Sequence, residues 1–257
     1  MTVEIIGNCT LYHADARDVL SVIPKSNLCL SDIPYKLIAG GCNEAPGTMT
    51  GVFAADQYNN NGDIVTCDIT FDEMAPLIHD ALADNADAYI MVNDKNQFDA
   101  QRAFLDAGFK FHNLLTWNKG TMTPNRWYMK NQEYVVYLWK GRARTINNPS
   151  SKQEAYVPLT KVTQHPTEKP VILMKHYIEN STEIGDTVLD CFMGTGATGV
   201  AAVDLGRKFT GIEIERKWFD VACERITRAH ELIKQYGHIH TLIDDAPTPF
   251  NQSIMEV

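Results

Sequence analysis

Residues 187–206 read TVLDCFMGTGATGVAAVDLG, and this stretch limits the possible folds more than any other. A short apolar run rich in β-formers ends at Asp190, and Gly194, Gly196 and Gly199 follow within the next nine residues. An alanine-rich run with helical character comes next. Strand, glycine turn and helix in that order open a βαβ unit, which calls for a parallel sheet with helices on its faces. Small residues at the turn let the backbone approach a ligand, and the helix N-terminus favours a negative group there. Glu213 closes the following apolar run, KFTGIEI, placed to accept two ribose hydroxyls. The turn alone suits NAD and any other adenosine compound equally well.

The same alternation runs through the whole chain. Strands are expected at 9–13, 27–32, 87–93, 109–117, 133–139, 186–192 and 208–214. Helical patterns fall at ARDVLSVI, FDEMAPLIHDALAD, NQFDAQRAFLDAG, PVILMKHYIENS and ATGVAAVDLG, with a long helix from about Trp218 to Gln235. One domain over 1–235 accounts for these, and 236–257 reads as a C-terminal tail. Two stretches lack periodicity. Residues 36–70, rich in Gly and Asn, form an insertion expected to act as a lid or binding loop, and 141–164, shorter, polar and basic, is expected to be a short target-recognition segment.

The N-terminus lacks a basic segment followed by a continuous apolar run, so no signal peptide is expected. No apolar stretch approaches the roughly 20 residues of a membrane span. The six cysteines are scattered without a CxxC pair, which argues against a disulfide framework and a metal site. A reduced, cytoplasmic protein is expected. The net charge is −9, yet residues 102–175 carry 12 Lys+Arg against 4 Asp+Glu. Screening confines each charge to about 10 Å, so a basic face can exist within an acidic protein. Arg126, Lys130, Arg142 and Arg144, near Trp127 and Tyr128, would be the phosphate contacts of such a face, although basic side chains scattered over both faces would give the same count.

Three motifs then occur in one order. Asp32-Ile33-Pro34-Tyr35 ends the strand at 27–32, HPTEKP spans 165–170, and Asp190-Cys-Phe192-Met-Gly194-Thr-Gly196 forms the glycine turn. Together they resemble the beta class of S-adenosylmethionine-dependent DNA amino-methyltransferases, with the catalytic motif first and the cofactor motif last. The resemblance covers about residues 9 to 230 and includes LYHADARDVLSVIP, LLTWNKG and NQEYVVYLWKG. Ile33 stands where that family usually has proline, which removes a fixed φ and adds an N–H.

The resemblance implies a Rossmann-like class I methyltransferase fold. This is an α/β architecture with a mostly parallel seven-stranded sheet, helices on both faces, a circularly permuted motif order and an antiparallel last strand. It implies S-adenosylmethionine as cofactor, held by Asp15, His165, Thr167, Lys169, Asp190, Phe192, Gly194, Gly196, Thr198 and Glu213. It implies Asp32, Ile33, Pro34 and Tyr35 as the catalytic turn acting on a flipped base in double-stranded DNA. Adenine N6 is the expected acceptor, because enzymes acting on cytosine N4 more often carry serine at the position of Asp32. Cytosine N4 methylation and a catalytically impaired DNA-binding relative stay open as alternatives. So does the choice between monomer and homodimer. A dehydrogenase is disfavoured by the lack of a recognisable hydride-transfer arrangement.

Overall fold

The computed structural model describes residues 1–34, 69–123, 128–159, 162–163, 165 and 167–237. The strands are β1 (Thr2–Ile6), β2 (Cys9–His13), β3 (Ser26–Ser31), β4 (Leu82–Val92), β5 (Lys110–Thr123), β6 (Lys130–Trp139), β7 (Glu154–Tyr156), β8 (Thr187–Asp190) and β9 (Lys208–Glu213). The helices are α1 (Ala16–Val19), α2 (Phe71–Ala81), α3 (Gln97–Asp106), α4 (Val171–Ser181), α5 (Ala197–Asp204) and α6 (Arg216–Tyr236). One sheet takes all these strands in the order β1-β2-β9-β8-β3-β4-β6-β5-β7.

Side chains alternate across the sheet and build two cores. Leu28 and Leu30 of β3 join Tyr89 and Met91 of β4 on one face, under α4, α5 and α6. Cys29 joins Ala88, Ile90 and Val92 on the other face, under α1, α2 and α3. Because both faces are covered, β3 and β4 read as nearly continuous apolar runs. α2 starts at a capping box, in which Thr70 and Glu73 each satisfy the other's backbone N–H.

Several expectations need correction. The sheet has nine strands among the described residues, not seven. The additions are edge strands: β1 has no buried residue, and β7 is three residues long, so neither produces a readable pattern. The antiparallel member of the inner seven is β6, which lies between β4 and β5 instead of coming last. The helix expected at 16–23 stops at Val19, and Pro24 would in any case keep Ile23 out of helical geometry. The segment 141–164 contributes β7, paired in parallel with Thr116–Asn118 of β5, so part of it is sheet edge. Tyr35 and residues 36–68 of the loop insertion lie outside the described residues, as does the tail from 238 onward.

Candidate functional site

In an open parallel sheet, loops at the C-terminal ends of the strands gather the ligand-binding groups. Here four carboxylates follow that edge in strand order. Asp15 lies beyond β2, Glu213 ends β9, Asp190 ends β8 and Asp32 follows β3. β8 leads to α5 on one face, whereas β3 leads toward α2 on the other. Adjacent strands with connections to opposite faces leave a crevice between them. A hydrogen bond from Ser31 Oγ to Asp190 Oδ1, at 2.8 Å, spans the floor of that crevice.

Asp190 is buried and fully engaged. Thr198 Oγ1 donates to Oδ2 at 2.6 Å, and Phe192 N donates to Oδ1 at 3.2 Å. Burial pushes its carboxyl up to about 6, against the pull of these donors. The expected cofactor residues Asp190 and Thr198 therefore spend their polar atoms on shaping the glycine turn. Gly194 and Gly196 have φ values of +51° and +78°, which side chains rarely tolerate. A Cβ on Gly196 would also reach Ala222 of α6 at 3.0 Å. Among the described residues, a Cβ on Gly194 would meet only the His165 ring, with Nε2 at 3.6 Å.

Glu213 faces this turn. Gly194 N donates to Oε2 at 3.0 Å and Glu215 N donates to Oε1 at 2.8 Å. Each oxygen thus holds one N–H and keeps a lone pair for another donor. Burial raises its carboxyl above the ordinary value. One strand along, Asp15 caps α1 through Arg17 N at 2.9 Å and pairs with the Arg17 guanidinium at 2.6 Å. Those hydrogen bonds hold the Asp15 carboxyl below its ordinary value.

The HPTEKP segment closes the other side. The His165 ring meets Trp218 edge-on, with centroids 4.5 Å apart. Thr167 N reaches His165 Nδ1 at 3.3 Å. Buried Glu168 accepts from Thr163 N at 2.8 Å and pairs with Arg225 of α6 at 3.0 Å. Arg225 in turn donates to the Thr195 carbonyl and hydroxyl, at 3.0 and 2.7 Å, tying this segment to the glycine turn. Sequence reasoning overlooked Ser31, Glu168, Trp218 and Arg225. The central Glu of the motif was the one available signal, since a carboxylate in a buried motif needs a partner.

Lys169 is placed differently from expectation. Its Nζ donates to Asp32 Oδ2 at 2.5 Å and lies 3.7 Å from Glu133 Oε2, so it joins the turn that carries Asp32. Burial pushes the Asp32 carboxyl up while Lys169 pulls it down. Ile33 is fully buried in the core beneath α2 and α3. Apolar anchoring thus holds this turn where a proline ring would otherwise stiffen it.

The candidate DNA contacts separate. Lys130 begins β6, which pairs at Tyr134 with Val92, so it sits at the same end of the sheet as Asp32 and bonds Asp94 at 2.7 Å. Arg142 and Arg144 follow Trp139, which pairs with Asp87 at the opposite end. Arg144 lies 3.5 Å from buried Asp87, and Arg142 N bonds Asn85. Arg126 is outside the described residues. Among the described residues, the basic middle of the chain therefore does not gather at one end of the sheet. Arg102 pairs with Asp72, Lys175 with Asp204, and Lys140 donates to the His79 and Leu82 carbonyls. No cluster able to hold a metal occurs among the described residues, and no described helix is long and apolar enough to cross a membrane.

A family model described as DNA methylase matches residues 26–224. The type II methyltransferase M2.DpnII of Streptococcus pneumoniae is 28% identical over 250 residues, spanning 86% of this chain and 90% of its own length. Among solved structures, the complex of M1.HpyAVI with SAM aligns with a TM-score of 0.65 and 24% identity, over 84% of this chain and 99% of that one. The cytosine-N4-specific PvuII DNA methyltransferase aligns with a TM-score of 0.66 and 15% identity, over 90% of this chain and 94% of that one. Identities this low in the structures establish the shared fold alone.

Proposed function

This chain belongs to the DNA methylase family, and we propose that it methylates the N6 amine of adenine in double-stranded DNA with S-adenosylmethionine as donor. The observation that carries this reading is the placement of Asp32 beside Asp190, on neighbouring strand ends of one crevice. The residues fit the cofactor. Glu213 keeps a lone pair on each oxygen for the ribose hydroxyls, and Gly194 leaves open the space a side chain would fill. Asp15 would contact the adenine, the HPTEKP residues His165 and Thr167 would border the methionine end, and Phe192 would belong to the cofactor turn. When bound, S-adenosylmethionine supplies a methyl group already activated on a sulfonium.

The protein's part is alignment and hydrogen bonding. An exocyclic amine is a poor nucleophile because its lone pair is delocalised into the ring. The Asp32 carboxylate and the Ile33 carbonyl accept the two amine hydrogens, which favours a tetrahedral nitrogen with its lone pair available. Tyr35 stacks on the flipped base, and the amine proton leaves to Asp32 or to water. Asp32 favours adenine over cytosine for the reason the family pattern gives. Lys130 and Arg126 remain proposed phosphate contacts. Arg142 and Arg144 do not, because they lie at the far end of the sheet. Residues 36–70 and the later part of 141–164 are the proposed reading surfaces.

The test is methyl transfer to unmethylated duplex DNA, followed by nucleoside analysis. N6-methyladenine is expected, and N4-methylcytosine in its place would overturn the choice of base. Asp32→Ala should abolish turnover while calorimetry still detects cofactor binding. Full turnover of that variant would refute the amine-activation reading.

A further inference from the structure

β6 reaches the catalytic corner without carrying any of the three motifs. Its Glu133, opposite Trp117 of β5, contacts two lysines from different elements. Lys119 Nζ lies 3.2 Å from Oε1, and Lys169 Nζ lies 3.7 Å from Oε2. Lys169 then donates to Asp32 Oδ2 at 2.5 Å. Charges alternate along Lys119, Glu133, Lys169 and Asp32, so the row is neutral as a whole. The side chains of Lys169 and Lys119 are only 12% and 16% exposed, and those of Glu133 and Asp32 28% each. Ion pairs this sheltered are screened less than surface pairs, and each member constrains its neighbour's position.

We propose that Lys169, anchored by Glu133, is a positioning residue that holds the Asp32 carboxylate ionised and oriented for the base amine. This rests on the reading of Asp32 given above. The bond to Lys169 occupies Oδ2, while Oδ1 meets no donor among the described residues and can accept an amine hydrogen. Among the described residues, three charged groups lie near Asp32. They are Lys169 from the HPTEKP segment, Glu133 from β6 and Asp190 from β8. Burial and the Glu133 carboxylate disfavour its ionised form, and among the described residues Lys169 favours it. The sign of each substitution follows from that balance. Loss of the lysine charge moves ionisation of Asp32 to higher pH. Loss of the Glu133 charge removes a like charge, so it loosens Lys169 without an upward shift.

The experiment measures kcat and KM for S-adenosylmethionine against pH, with the full chain and unmethylated genomic DNA. Lys169→Met should lower kcat at neutral pH by about tenfold or more and move the acid limb up by about one pH unit. Turnover should recover toward wild type at alkaline pH, with KM little changed. Lys169→Arg keeps a permanent charge and should restore the wild-type limb. It also keeps the test decisive if Lys169→Met fails to fold. Glu133→Gln should lower kcat a few-fold with no upward move of the limb, and Glu133→Asp should recover part of the loss. An unshifted acid limb in Lys169→Met would overturn the proposal. So would a loss confined to KM, which would make Lys169 a cofactor contact only. If Lys169→Arg misfolds or keeps the limb shifted to high pH, the proposal also falls. Asp32→Ala separates the two readings: an active Asp32→Ala refutes the role of Asp32 itself, whereas an inactive one with an unshifted Lys169→Met refutes only this inference.

Discussion

Asp190 is a buried carboxylate with three donors, and it both organises the site and costs stability. Its carboxyl sits at about 6 in the folded protein against an ordinary value of 3.8. Between those two values the folded chain binds more protons than the unfolded chain, so stability falls as pH rises through that window. About two pH units correspond to about 3 kcal/mol. Asp190→Asn removes this titration, while its amide oxygen still accepts from Ser31 and the Phe192 N–H. Relative to wild type, the variant should gain about 3 kcal/mol between pH 3.8 and 6 in denaturant titrations. A flat difference across that range would mean Asp190 is not the titrating group. Ile33 makes the complementary point, because its departure from proline places an apolar side chain in the core. A sequence comparison registers only the lost ring, whereas the fold supplies the replacement anchor.

At the scale of elements, helix approach explains the glycines better than ligand contact does. A Cβ at Gly199 would come within 2.5 Å of Ile226 Cδ1 on α6 and 2.8 Å of the Phe209 ring on β9. Gly199→Ala should therefore cost about 1–3 kcal/mol through overpacking, readable as a lowered melting temperature. An unchanged melt would show that α6 yields freely. Gly194 is the glycine whose added side chain would point toward the site. The spacing of the motif was legible in the sequence, but the division of labour among its glycines was not. That division depends on what packs above α5, about 25 residues further along the chain. The Glu168–Arg225–Thr195 tie escaped notice for the same reason, since its members belong to three separate segments.

For the whole molecule, the sheet has two ends with different work. The parallel strands direct Asp15, Glu213, Asp190 and Asp32 to one end, while β6, running the other way, delivers Arg142 and Arg144 to the other. Phosphate contacts contribute about one unit each to the slope of log affinity against log salt. Lys130→Gln should lower that slope by about 0.9 in DNA-binding titrations, whereas Arg142→Gln should leave it unchanged. The reverse result would place the DNA on the opposite end of the sheet.

Local information was enough for the alternation of strands and helices, the strand-to-turn motifs and their order along the chain. Each rests on residues within one turn or one strand, where apolar spacing, glycine and proline act directly on the backbone. The burial of β3 and β4 on both faces was legible as well, as runs such as NLCL and AYIMV. Strand direction was not, because β5 and β6 have similar apolar patterns whichever way they run. Nor was the fate of the charges. Twelve basic residues in one segment suggested one surface, but the antiparallel hairpin of β5 and β6 carries them to both ends of the sheet, and partners distant in sequence bind many of them. Lys169 is the sharpest case. Its motif announces a lysine near the cofactor, but only the approach of β3 and β6 decides that its ammonium rests on Asp32 and Glu133.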